Sequence, residues 1–272
     1  MDILADIGGT KTRIAGTSDL KFFSEPVVVD TPKLYKEGIA AISAAAKRIT
    51  ANDVIESIIA AVRGSISHEK GSTYDSMALP DWSDKPLAGD LQASLGAHRV
   101  RLENDMALVG LGEAVYGAGK GASIIVYMTV STGVNGSRIV DGRIEPSAQG
   151  FEIGGQYLSI DLMTTFENLV SGTAIQKRFG MHPKELGKDH PVWEELARTC
   201  AFGVHNTILH WSPHKVVLGG SMFNEIGISV ERVAEHVKSI MRKFPTTPPI
   251  VHSSLGDFGG LWGGLALLNQ KD

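Results

Sequence analysis

The chain has 272 residues, 43% hydrophobic and 21% charged, a composition that fits a globular enzyme and a length for which two lobes of roughly 100 to 150 residues are expected. With 26 Lys plus Arg against 30 Asp plus Glu the formal charge is −4; nothing in this balance advertises a nucleic-acid or membrane surface, and neither partner is expected. The single cysteine, Cys200, excludes internal disulfides and any multi-cysteine zinc site.

The charged-then-apolar start is too short for a signal peptide, and no apolar run approaches the length of a bilayer span, so a cytoplasmic protein is expected. Residues 2–7 and 12–17 read as a β-hairpin turning on Gly8-Gly9, and 27–30 as a third strand. Residues 34–50 carry apolar and small side chains at helical spacing with Lys and Arg opposite, which predicts a helix. The apolar run from 55 predicts a strand that stops at Gly64. Residues 64–86 are polar and contain Gly and Pro, the pattern of a long connection or a minor hairpin. A short strand is predicted at 98–104, then a helix over 105–117 with Asp105 at its N-cap position.

After a glycine-containing turn at 117–121 the order restarts: strand 123–130, turn 131–136, strand 137–144 with its own Asp-Gly turn. Both halves thus open with a strand, a polar-glycine turn and a returning strand, which predicts a duplicated α/β architecture. Helices follow at about 158–171 and 192–211, then a strand over 215–220, a helix around 226–243, and a closing helix over 256–270 with glycines on adjoining turns.

Three separated strand-to-glycine turns carry the chemistry. At the first, Gly8-Gly9 lets backbone amides approach a ligand, Thr10, Lys11 and Thr12 offer donors to phosphate oxygens, and Asp6 is placed to hold a metal ion or its waters. At the second, Thr132, Gly133 and Gly136 present hydroxyl and amide donors. At the third, Gly219-Gly220 ends a strand and opens toward a helix whose amides would face a bound anion or ring. Taken singly, each turn has a purely structural reading; together they suit a nucleotide triphosphate.

Asp105 falls where a strand hands over to a helix, a position where the helix dipole would keep a carboxylate ionised. Such a carboxylate accepts a proton from a substrate hydroxyl as its oxygen attacks a γ-phosphoryl group, and Asn104 beside it suits a polyol. A simple N-cap aspartate is the competing reading. No Walker-type G-x-x-x-x-G-K-[ST] loop is present, and "GAGKGA" at 117–122 has a helix before it and a strand after it, the reverse of a dinucleotide fingerprint. His205, His210 and His214 lack Cys or acidic partners at ligand spacing.

"DIGGTKTRIAG", "ENDMALVGLGEAVYG", "VSTGVNGSRIVDGRI", "VVLGGSM" and "LGDFGGLWGGLALL" together resemble, in order, the signatures of the ROK (repressor, open reading frame, kinase) family of sugar kinases, within the actin-like ATPase and sugar-kinase superfamily. The resemblance implies a duplicated actin-like ATPase (ribonuclease H-like) two-lobe fold with a central cleft. Its first lobe would be 1–115 completed by the closing helix 258–272, and its second 116–257. It implies phosphorylation of a hexose or hexose derivative by ATP with Mg2+, Asp105 being the general base. Asn104, Glu152, Glu167 and Gly64 would contact the sugar. Asp6, Gly8, Gly9, Thr10, Lys11, Thr132, Gly133, Gly219 and Gly220 would bind ATP, and Asp6 would reach Mg2+ through water. A homodimer is the family's expectation, and with no helix-turn-helix segment ahead of residue 2 the repressor branch is disfavoured.

The departures from the family pattern are specific. Glu152 is kept, but Gly155 stands where the family has a histidine that contacts sugar and ligates zinc, and the zinc cysteines are missing, so no zinc is expected. Ala78 replaces an asparagine before the "LPDW" stretch, and Ser131 and Asn135 replace glycines in the second turn. These departures motivate a second reading, a sugar- or nucleotide-binding sensor without turnover; an assembling ATPase scaffold is a third.

Overall fold

The computed structural model describes residues 1–270 except 52, 75–78, 160, 162, 225 and 226, so Ala78 lies outside the described residues. The chain divides into two compact units, Met1–Gly112 with Leu255–Asp272, and Glu113–Ser254.

In unit 1, strands β1 (Asp2–Ile7) and β2 (Lys11–Thr17) form the opening hairpin and β3 (Val27–Asp30) pairs antiparallel with β2. Helix α1 (Tyr35–Thr50) buries Tyr35, Gly38, Ile42, Ala45 and Ala46, one face at helical spacing. Gly38 is required there because the Trp82 ring occupies the space of a side chain. Strand β4 (Ser57–Val62) is buried throughout and lies parallel to β1, as its uninterrupted apolar run demands. A minor hairpin, β5 (Ser65–Ser67) and β6 (Ser72–Tyr74), follows, then α2 (Leu87–Leu95), β7 (Arg99–Asn104) parallel to β4, and α3 (Asp105–Val115). The sheet order is β3-β2-β1-β4-β7. Helix α2 was not expected from the sequence; only Leu87 and Leu91 are buried in it, too few to mark a period.

Unit 2 repeats the plan. Strands β8 (Ile124–Val130), β9 (Val134–Val140) and β10 (Arg143–Ile144) form an antiparallel meander. Two short strands, β11 (Tyr157–Ser159) and β12 (Thr164–Thr165), lead into α4 (Phe166–Val170) and α5 (Gly172–Phe179). The helix expected over 158–171 is therefore restricted to its last third, because Tyr157 and Ser159 pair with Thr165 and Thr164. The long helix α6 (Val192–Trp211) buries Trp193, Leu196, Cys200, Val204 and Ile208, and β13 (Lys215–Gly219) runs parallel to β8. A single turn, α7 (Ser221–Asn224), and α8 (Val230–Ile240) precede β14 (Ile250–His252), a strand too short to show periodicity in sequence. The order β10-β9-β8-β13-β14 matches that of unit 1 element for element.

Buried Glu113, the first residue of unit 2, clasps the last: its Oε1 accepts from the Ser254 amide at 2.8 Å, and its Oε2 from the Ala118 amide at 2.8 Å. The chain then returns to unit 1 as α9 (Gly259–Leu268), whose glycines replace side chains with backbone contact. A methyl group on Gly263 would collide with the Leu108 carbonyl of α3, and one on Gly112 of α3 would lie 2.7 Å from the Gly259 oxygen. Gly264 meets Leu4 of β1 and Ile59 of β4, while Leu261 and Leu265 are buried. Each such large apolar side chain contributes about 1.5–3 kcal/mol on burial.

Gly263→Ala is therefore expected to destabilise the protein by about 1–3 kcal/mol, the usual effect of overpacking. Gly89→Ala on exposed α2, where a methyl group meets nothing within 4 Å, should instead stabilise by roughly 0.5–1 kcal/mol. Urea unfolding of the two variants checks both signs.

Candidate active site

The parallel strands of unit 1 end in one row. Ile7 of β1 is in register with Val62 of β4, and Val62 with Asn104 of β7. The next residues along each strand are Gly8, Arg63 and Asp105. Open parallel sheets collect ligands beyond such carboxyl ends.

Asn104 organises one end of the row. Its Oδ1 accepts from the amides of Met106 and Ala107 at 3.0 and 3.1 Å, and its Nδ2 donates to the Gly64 carbonyl at 3.1 Å. It is thus the cap of α3, and Asp105 is the first helical residue rather than the cap. The same side chain pins Gly64, whose φ of 110° suits glycine. Asn104, expected at the sugar, spends its carbonyl oxygen and one amide hydrogen on this scaffold.

Asp105 is raised to about 7, first by burial and then by the Asp6 carboxylate; Arg63 and the amides of Met106 and Asp105 itself pull the other way. The expectation that the helix field keeps it fully ionised is corrected: removal from water outweighs the amide Met106 N–H, 3.0 Å from Oδ1. Asp6 is raised to about 6, chiefly by burial, with Arg13 lowering it and Asp257 raising it. A methyl group on Gly260 of α9 would lie 2.9 Å from the Asp6 carboxyl carbon, so the helix backbone is what covers this acid. Arg13, its cross-strand neighbour, donates to Asp257 at 3.1 Å.

The first turn closes through Gly8 N donating to the Lys11 carbonyl at 3.0 Å. Thr10 is exposed, and its carbonyl accepts from Thr31 N at 2.9 Å. Lys11, expected at phosphate, is instead bound to Asp30 at 2.5 Å, its partner across β2 and β3. The cation that reaches the turn is Lys33, whose Nζ donates to the Gly9 carbonyl at 2.8 Å; no spacing rule in the sequence marks it.

In unit 2 the second turn is tighter than expected. Strand β9 resumes at Val134, so Asn135 and Gly136 belong to the ladder, opposite Thr129 and Met128. Ser131 N donates to the Gly133 carbonyl at 2.8 Å, and Thr173 Oγ1 to the Thr132 carbonyl at 2.8 Å. Glu167, in the first turn of α4, accepts from Val134 N at 2.7 Å. That oxygen serves the turn's backbone, where a sugar contact was expected. Glu152 is raised by partial burial, with Asn135 opposing and the Glu167 charge adding to it; Asn135 Nδ2 donates to it at 3.4 Å. A side chain at Gly155 would meet nothing within 4 Å. Its neighbour Gln156 donates to the Ile153 carbonyl at 2.9 Å and accepts from Asn206 at 3.1 Å.

Gly219 and Gly220 end β13 against β8: a methyl group on Gly219 would lie 2.7 Å from the Tyr127 hydroxyl, and Gly220 has a φ of 97°. The helix expected to open from this turn is the four-residue α7, too short to add a helix field. Among the described residues no three His, Cys, Asp or Glu side chains are grouped to hold a metal. His214, one of the histidines set aside on sequence, accepts from Ile124 N at 3.2 Å. No helix among the described residues is long and apolar enough to cross a membrane.

A model of the ROK family matches residues 3–271. The chain belongs to the ROK family. A fructokinase from Zymomonas mobilis is 31% identical over 212 residues, 69% of this chain and 68% of that one. The ROK hexokinase of Thermus thermophilus superposes with a TM-score of 0.81 at 25% identity, covering 97% of this chain and 96% of that one. A ROK glucokinase from Streptomyces griseus, solved with glucose and AMPPNP, gives 0.81 at 21% identity over 98% of both chains. The fold is the two-lobe α/β fold of actin-like ATPases, and within the ROK family the chain is a carbohydrate kinase.

The two raised acids predict a stability signature. The unfolded chain releases these protons near the ordinary aspartate value of 3.8, whereas the folded chain holds them to about 6 and about 7. Their contribution is complete below the unfolded value and lost as pH rises through 6 to 7. Asp105→Asn, in the absence of nucleotide and metal, is expected to stabilise the protein at pH 8 by on the order of 2 kcal/mol. The gain should shrink toward zero at pH 4; equal gains in thermal unfolding at both pH values would refute a charge origin.

Proposed function

We propose that the protein transfers the γ-phosphoryl group of ATP to a hydroxyl of a hexose or hexose derivative, with Asp105 as general base. The observation that carries this reading is the Asp105 carboxylate itself. It stands at the end of β7, beyond the carboxyl ends of the parallel strands, and its pKa of about 7 suits taking a proton near neutrality. The fructokinase, hexokinase and glucokinase relatives support a sugar as the acceptor, and the glucokinase complex with AMPPNP supports ATP as the donor.

In this reading the acceptor hydroxyl approaches Asp105, which takes its proton as the oxygen attacks phosphorus. Asn104 acts through the scaffold, fixing Gly64 and the start of α3 so that the carboxylate is aimed before the substrate arrives. In unit 1 the Gly8–Thr10 turn offers donors to phosphate; in unit 2, taken by itself, the Thr132-Gly133 turn, held in shape by Glu167, offers the same kind of donors. Gly219 and Gly220 receive the adenosine end. Glu152 hydrogen-bonds sugar hydroxyls.

Mg2+ fits the donor set. Asp6 is a hard oxygen donor whose proton is held by burial and by the nearby Asp257, and a divalent cation relieves that repulsion. A protein site of one or two carboxylates, completed by phosphates and waters, is the usual one for this ion. Asp6 would hold it through water, and the ion would neutralise phosphate charge.

ADP release from Mg-ATP across a panel of hexoses and N-acetylhexosamines, with Asp105→Asn alongside, tests the proposal. Sugar-dependent release is expected, reduced by about 10²- to 10⁴-fold in the variant. Sugars that raise the melting temperature without any ADP release would overturn the kinase reading in favour of a sensor.

A further inference from the structure

We propose that Arg63 is a catalytic cation of the transfer, donating to the phosphoryl oxygens as the group passes from ATP to the acceptor; this rests on the kinase reading above. The argument begins with the order of strands. β4 lies between β1 and β7, and Val62 is in register with both Ile7 and Asn104. The residue that follows Val62 therefore emerges between the turn that begins at Gly8 and the carboxylate of Asp105. In the proposed reaction that interval separates the donor's phosphates from the base. A group in transit crosses it.

The residue at that point is an exposed arginine. Among the described residues no side chain or carbonyl forms an ion pair or hydrogen bond with Arg63, so its donors are uncommitted. The other guanidinium near these acids, that of Arg13, is bound to Asp257. Lys11 is bound to Asp30, and Lys33 donates to the Gly9 carbonyl. Arg63 faces Asp105 closely enough for its charge to act on that carboxyl. A planar guanidinium matches phosphoryl oxygens two at a time, which an ammonium does not.

The step balances without any further reactant. The acceptor oxygen forms a bond to the γ-phosphorus, and the bond from that phosphorus to the bridging oxygen breaks. The bridging oxygen leaves with the electron pair as ADP, and the acceptor proton passes to Asp105. Negative charge spreads over the equatorial oxygens of the group in flight, and a guanidinium that binds those oxygens more tightly than it binds the ground state lowers the barrier.

The test compares Arg63→Met and Arg63→Lys with the wild-type protein, first by thermal unfolding to establish that both fold. Arg63→Met should lower kcat on the order of 10³-fold while KM for ATP and for the sugar stay within about threefold, and Arg63→Lys should recover at least about tenfold of the loss. Arg63→Met should also lose the tight binding of Mg-ADP with aluminium fluoride and sugar, a mimic of the transferring group, while its ADP affinity is unchanged. A kcat within threefold of wild type, or a loss confined to KM for the sugar, overturns the proposal and leaves the kinase reading standing. No sugar-dependent ADP release from the wild-type protein overturns both.

Discussion

The contact between α9 and α3 is the constraint on which unit 1 depends. Backbone meets backbone where Gly263 lies on the Leu108 carbonyl and Gly112 on the Gly259 oxygen. Such an approach is open only to glycine. Because the two helices close to this distance, α9 also reaches β1, and Gly260 covers the Asp6 carboxyl. The same packing sets the start of α3, and with it Asp105. A helix of small residues thus brings two acids under shared burial, although it contributes no side chain to either.

That burial opposes stability above neutral pH. Two partly buried carboxyl groups, the charge of Asp6 acting on Asp105, hold their protons to near-neutral pH, which a fold selected for stability alone would avoid. The surrounding groups limit the effect without abolishing it. Arg13 is shared with Asp257, and the Asn104 side chain is committed to α3 and Gly64. The result is a carboxyl group whose ionisation is sensitive to any cation placed beside it.

Much of this was legible in the chain. The opening hairpin followed from a short apolar run ended by two glycines, and α6 from an apolar period sustained over its whole length. The repeated order of elements anticipated two sheets of identical topology. Short elements escaped: β11 and β12 pair at only two positions, so no period of two develops, and the leucines and Phe166 nearby mimic a helical spacing. The direction of a side chain escaped as well. A lysine after two glycines is equally placed to face a ligand or a cross-strand acid, and Asp30, far along the sequence, decides for Lys11. Glu167 accepts from an amide of the turn, a contact that composition and spacing do not encode. Arg63 was invisible for a related reason: nothing distinguishes it until the strand register sets it between Gly8 and Asp105.

Unit 1 is discontinuous, its last helix separated from the rest by the whole of unit 2. Chains are synthesised from the amino end, and units fold as their segments become available. Unit 2, closed on itself by the clasp of Glu113 on Ser254, has all its strands as soon as β14 emerges. Unit 1 at that moment still lacks the helix that covers Leu4, Ile59 and the Asp6 carboxyl. A nascent chain therefore lacks the cover over the Asp6 carboxyl until α9 has been made.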